Sequence, residues 1–157
     1  MLTENRQDAF EVALAALRRK ERTSAELDGW LRQRGFAGEE VDAALAGLTE
    51  AGELDDRRFA LRYAQDKREL RGWGAERIRE ALAARKVPPE LIEVALEAES
   101  RDAAVERASE LLARRGRSLG DDAERSRALG FLTRRGYEYE VAYEAVRIAS
   151  RDPAPHG

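Results

Sequence analysis

Residues 23–45, TSAELDGWLRQRGFAGEEVDAAL, decide the fold, because the chain writes this pattern three times. Its apolar landmarks are Leu27, Leu31, Gly35-Phe36, Val41 and Leu45. They return 51 residues on as Ile78, Leu82, Lys86-Val87, Ile92 and Leu96, and 50 residues later as Ala128, Leu132, Gly136-Tyr137, Ala142 and Val146. A repeat of this period signals an array of small units. Within each unit, apolar residues four apart mark one helix face, a break follows, and a second such pair marks another helix.

The breaks carry helix-end chemistry. Thr23 with Glu26 forms a capping-box pair, and Gly74 is an acceptable N-cap in the second copy. Gly35 and Gly136 suit the left-handed C-cap, which Lys86 cannot adopt as cheaply. Pro89 suits a first helical position, and Glu39-Glu40, Glu90 and Glu140 sit where a helix start favours negative charge. A further helix precedes each pair, through Phe10, Ala13, Leu14 and Leu17, then Phe59, Ala60, Tyr63 and Ala64, then Val105, Ala108, Leu111 and Leu112.

The expected fold is therefore all-α: a tandem array of three three-helix modules over residues 8–55, 56–99 and 100–151, followed by a flexible tail, 152–157. Each unit resembles a helix-turn-helix in outline. Modules this small bury too little apolar surface to be very stable alone, so neighbours should lean on one another in an elongated, bent array. The third copy departs from the others across residues 113–124, where a longer, mobile loop is expected.

Composition agrees. Alanine, leucine, arginine and glutamate dominate, while strand formers are sparse. The absence of cysteine excludes disulfides, cysteine-based zinc sites and a thiol nucleophile, and fits a reducing cytoplasm. No apolar run approaches the roughly 20 residues of a membrane span, and Met1-Leu2-Thr3-Glu4-Asn5 lacks the form of a signal peptide. The formal net charge is only −3, but it is unevenly spread: net −5 over residues 8–55, +1 over 56–99 and +2 over 100–151. Attraction for a polyanion must come from local patches in the last two modules.

Nothing in the pattern supports catalysis, and an enzyme is not expected. His156, the single histidine, sits on a proline-flanked tail and reads as a terminal leftover. Asp55-Asp56 and Asp121-Asp122 could hold magnesium, but each pair precedes a helix, where aspartate serves as a cap. Gly72-Trp73-Gly74 lacks the Lys and the preceding strand of a phosphate loop and reads as a turn. Trp73 is either a packing wedge between modules or an exposed contact. No metal or cofactor site is expected.

Candidate binding residues are basic. Arg57, Arg58, Arg62 and Tyr63 interleave charge with aromatics, and Lys67, Arg68, Arg71, Arg77 and Arg79 continue the run. On a helix Arg58 and Arg62 share one face, with Phe59 and Tyr63 on an adjacent face turned to the core. Arg134 and Arg135 form a second cluster. Two readings stand for each: a surface for phosphate or an acidic partner, or charge that merely solvates a helix or caps its end.

The run Gly52-Glu53-Leu54-Asp55-Asp56-Arg57-Arg58-Phe59-Ala60 with Tyr63, followed by Gly74-x-x-Arg77-Ile78-x-x-x-Leu82, resembles the central signature of the RecX family. Ser24-x-Glu26-Leu27-x-x-x-Leu31 and Phe131-Leu132-x-Arg134-Arg135-Gly136-Tyr137 resemble its flanking elements, so that the likeness spans residues 10–148. It implies a monomeric, cytoplasmic, cofactor-free bacterial protein that binds the RecA filament on DNA. Such a protein lies in the filament groove and limits RecA's recombinase, ATPase and coprotease activities in DNA repair and recombination. Lys86, in place of a glycine, and Tyr137, where phenylalanine is common, depart from the family pattern. Two rival readings are a helix-turn-helix DNA-binding regulator and a helical scaffold for an unrelated protein. Acid on the third helix of the first two units, through Glu39, Glu40, Asp42, Glu90, Glu93 and Glu97, argues against the first of these.

Overall fold

The computed structural model describes residues 8–151, and among these the chain forms nine α-helices, one π-helical segment and no strand. The chain start, the tail 152–157 and His156 lie outside the described residues. The first three helices are α1 (Ala9–Arg19), α2 (Ser24–Gln33) and α3 (Gly38–Glu50). Next come α4 (Asp56–Asp66), the π-helical segment Lys67–Arg71, α5 (Ala75–Ala84) and α6 (Pro89–Glu97). The last are α7 (Arg101–Arg115), α8 (Asp122–Arg134) and α9 (Tyr139–Arg151).

Three separate cores account for the architecture. Leu27, Leu31, Val41 and Leu48 centre the first, Phe59, Ile78, Leu82 and Ile92 the second, and Val105, Leu112, Leu132 and Val146 the third. The most closely packed helix pairs all fall within one group of three: α1 with α3, α4 with α6, and α7 with α9. Each fully buried leucine or isoleucine contributes about 1.5–3 kcal/mol, and the repeat supplies one at every landmark position of α2 and α5. In α8 the first landmark is only Ala128, so that core relies more on α7 against α9.

The helix ends follow the chemistry of their residues. Thr23 and Glu26 form the full capping box, and Asp55 and Asp121 accept from the backbone N–H of Arg58 and Glu124. Gly35 and Gly136 are left-handed, with φ of 90° and 96°. Lys86 takes the same conformation, at φ 62°, and is the one described non-glycine residue that does. The repeat thus imposes its turn on a side chain that resists it, at a cost of about 1–2 kcal/mol. Lys86→Gly should raise the melting temperature by about 2–4 °C, a gain of roughly 1 kcal/mol once glycine's greater unfolded-state freedom is offset. Unchanged or lower melting would show that the lysine side chain repays its strain.

The expected long loop of the third module is shorter than the sequence suggested. α7 runs to Arg115, Gly116 closes it in the left-handed conformation, and α8 begins at Asp122. Leu119 packs on the third core, and Arg125 donates to its carbonyl at 3.0 Å, so the segment is tethered at its middle.

The modules join end to end through their second helices. Gly74 N–H, at the start of α5, donates to the Arg135 carbonyl at the end of α8 at 2.8 Å, and Glu76 N–H donates to Gly136 at 2.8 Å. At the other joint Thr23 Oγ1, at the start of α2, donates to the Arg85 carbonyl at the end of α5 at 2.8 Å. Arg85 and Arg135 are equivalent repeat positions, as are Thr23 and Gly74, so one joint is used twice. Orphan amides of α5 meet orphan carbonyls of α8, whereas at α2 the Thr23 hydroxyl takes the amide's place, and in both cases the positive start of one helix faces the negative end of another. Ser24 N–H donating to Asp56 at 2.8 Å and the Glu26–Arg85 pair reinforce the first joint. Burial alone would raise the Glu26 carboxyl, but the Arg85 guanidinium and the Thr23 N–H outweigh it and hold the group below the ordinary glutamate value.

Candidate binding surface

The candidate basic residues divide into three sets by what they touch. Arg57 and Arg71 are exposed and make no ion pair among the described residues. Arg58 is exposed and donates to the Gly52 carbonyl at 3.0 Å, which ties the α3–α4 turn. Arg62 pairs with Glu21 of the preceding module. Arg79 is held by Glu93 and Glu76 and so is largely neutralised.

Arg68 faces inward. The π-helical segment widens the backbone between α4 and α5, leaving Leu70 78 % exposed and the Arg68 side chain turned in, only 11 % exposed. The Arg68 guanidinium donates to the Ala95 carbonyl at the end of α6 at 2.8 Å and lies 3.7 Å from Glu99. Burial, more than the neighbouring Arg107 charge, pulls it below its usual value, and Glu99 works against both.

The remaining residues form a ladder of cations and aromatic rings. Tyr63 lies beside Phe59, with ring centroids 5.7 Å apart. Lys67 Nζ stands 5.2 Å from the Tyr63 ring and 4.9 Å from the Trp73 ring, and the Arg77 guanidinium lies 4.5 Å from Trp73. Trp73 itself is partly buried. Its ring packs partly on the second core and carries two cations, while its carbonyl accepts from Arg107 of the third module at 3.0 Å. Arg77 then abuts Gly136 across the joint, and Arg135, the residue before it, lies 4.7 Å over Phe131. Contacts of this kind hold side chains in place while leaving their charge for a partner. Arg134 is exposed.

Arg107 is the residue that sequence reasoning passed over. From α7 it pairs with Glu99 at 2.7 Å, and donates to the Trp73 carbonyl and, at 2.7 Å, to the Tyr137 hydroxyl. No local pattern announces this: the partners lie 8, 34 and 30 residues away. Tyr137, the departure from the expected phenylalanine, supplies an acceptor that phenylalanine lacks.

Burial pushes the Tyr137 phenol up to about 12 from an ordinary 10.0, with Arg107 drawing it down and Glu99 adding to the rise. The folded state therefore keeps a proton that the unfolded chain loses, so the stability this group contributes is whole below pH 10 and is lost as pH rises through 12. In an absorbance titration one of the four tyrosines should ionise late, and Tyr137→Phe should abolish that step. Simultaneous ionisation of all four in the folded protein would contradict the burial.

Among the described residues no cluster of His, Asp or Glu could hold a metal ion, and no helix is long and apolar enough to cross a membrane. The model of the first three-helix domain of RecX matches residues 9–48, and that of the second matches 55–96. A Thermus thermophilus protein named Regulatory protein RecX is 38 % identical over 145 residues, 92 % of this chain and 94 % of its own length. One of the same name from Trichlorobacter lovleyi is 34 % identical over 139 residues, 85 % of this chain and 90 % of its own. The crystal structure of RecX from Lactobacillus salivarius superposes with a TM-score of 0.82 at 19 % identity, over 92 % of this chain and 96 % of that one, and so shares the fold.

Proposed function

Because the chain belongs to the RecX family of regulatory proteins, we propose that it binds RecA filaments on DNA and restrains them. RecA recombinase, ATPase and coprotease activities fall, and DNA repair and recombination are modulated as a result. The observation that carries this reading is the cation–aromatic ladder from Tyr63 through Lys67, Trp73 and Arg77 to Arg135, which crosses from the second module into the third. A surface of this kind, on modules joined end to end, suits a repeating partner, because several weak contacts act together. The three modules, residues 8–55, 56–99 and 100–151, are the proposed units of contact. The protein works in the cytoplasm as a monomeric adaptor, without a cofactor, and its arginines meet acidic filament surface or DNA phosphate.

The test is RecA ATP hydrolysis on single-stranded DNA, followed in time as the protein is titrated from substoichiometric to equimolar amounts. Inhibition that deepens as filaments turn over is expected. An unchanged rate at equimolar, folded protein with cognate RecA would refute the reading. Arg57→Glu with Arg71→Glu, at two exposed arginines that make no ion pair among the described residues, should raise the amount needed for half-inhibition roughly tenfold, the loss of about 1.4 kcal/mol. Helicity and melting should hardly change.

A further inference from the structure

Arg115 and Arg117, at and just past the end of α7, face Arg127 and Arg134 along α8 on the third module. The Arg115 guanidinium lies 5.1 Å over the Phe131 ring, which also carries Arg135 at 4.7 Å. Along α8, Arg127, Phe131 and Arg134 are spaced four and three residues apart and so share a face. Arg117 follows the left-handed turn at Gly116 that closes α7. Burial lowers the Arg115 pKa, and the charges of Arg117, Arg127 and Arg134 lower it further, which places those three cations within electrostatic reach of Arg115.

The nearby carboxylates cancel this charge only in part. Asp121 caps α8 and lies within electrostatic reach of Arg127, Asp122 pairs with Arg125, and Glu124 follows in the same first turn. None of Arg115, Arg117, Arg127 and Arg134 forms an ion pair among the described residues, whereas Arg62, Arg79, Arg85, Arg107, Arg125 and Arg147 all do. Four mutually repelling guanidiniums cost stability unless a polyanion supplies the missing charge.

We propose that Arg115, Arg117, Arg127 and Arg134 form a binding site for the phosphodiester backbone of nucleic acid. Guanidinium forks match phosphate oxygens, and a set spread over two helices suits several phosphates in a row better than one carboxylate. Phe131 is engaged by Arg115 and Arg135, so the site grips backbone and does not read bases. This site rests on the third module alone and not on the RecA reading, and its test contains no RecA.

The experiment is fluorescence polarisation of labelled (dT)20 with the full chain between 50 and 200 mM NaCl, with labelled poly-glutamate as the competing class of anion. Affinity should fall with salt at a log–log slope of about −2 to −3 for three or four neutralised phosphates. A mixed-sequence single-stranded 20-mer should bind equally well. Arg117→Gln with Arg127→Gln and Arg134→Gln, all exposed, should weaken binding at least tenfold and flatten the slope by about 2, with helicity retained. The single Arg127→Gln should give about a third of that flattening, which keeps the test open should the triple variant misfold. Undiminished DNA binding by either folded variant, or tighter binding of poly-glutamate than of DNA, would overturn the assignment.

Discussion

Gly136→Val should lower the melting temperature by about 10 °C and loosen the third module from the second. The residue sits at φ 96°, where a β-branched side chain is strongly strained, and that strain is only half of the effect. A Cβ placed there would stand 2.4 Å from the Arg77 Cβ and 2.6 Å from the Arg77 N, which belong to the neighbouring module. On the opposite side of the joint, a Cβ at Gly74 would meet the Tyr137 N at 2.3 Å. Neither backbone can yield without breaking the hydrogen bonds from Gly74 to Arg135 and from Glu76 to Gly136. Strain and lost joint together come to about 3 kcal/mol, at 2–4 °C per kcal/mol for a chain of this size. Calorimetry should show the drop, and small-angle scattering should show a larger radius of gyration. Gly35→Val is the control, since it carries a similar φ, 90°, and its Cβ would meet no described atom within 4 Å; it should cost the strain and leave the dimensions unchanged. Equal expansion in both variants would mean that the glycine joint does not set the arrangement of the modules.

Glu99→Ala should cost about 2–4 kcal/mol, the second large effect. Glu99 lies between α6 and α7 with its side chain 14 % exposed, facing Arg107 at 2.7 Å and Arg68 at 3.7 Å, themselves 18 % and 11 % exposed. Removing the carboxylate strands two sheltered guanidiniums side by side, and an uncompensated buried charge is what makes breaking such a pair costly. The same reasoning predicts recovery. Glu99→Ala with Arg107→Met removes one of the stranded charges and should regain about half of the lost stability in chemical denaturation, even though it deletes the bonds to Trp73 and Tyr137. Additive losses in the double variant would show that Arg107 acts through those two hydrogen bonds and hardly through its charge.

The repeat made the three-module architecture legible, since Leu27, Ile78 and Ala128 fall in register and all three are fully buried. Helix ends were legible wherever they depend on near neighbours, as at Thr23 with Glu26, Asp55, Pro89 and Gly136. What depends on distant partners was not. The inward turn of Arg68 follows from a π-helical segment that no local spacing encodes, and Arg107 gathers partners from three other segments. The third-module loop was overestimated because its arginines and glycines read as coil, although Leu119 has a core to occupy. The basic run in the second module proved heterogeneous for the same reason: whether Arg57 or Arg62 stays unneutralised is decided by Glu21, which lies in another module.

The end-to-end joints also fix how the array carries load. Between the second and third modules the load falls on backbone alone, through the bonds from Gly74 to Arg135 and from Glu76 to Gly136. Between the first and second it falls on side chains, through the Thr23 hydroxyl on the Arg85 carbonyl, the Asp56 carboxylate on the Ser24 N–H and the Glu26–Arg85 pair. The two seams therefore differ in kind. One is written into the path of the chain and outlasts most side-chain substitutions, while the other can be cut residue by residue.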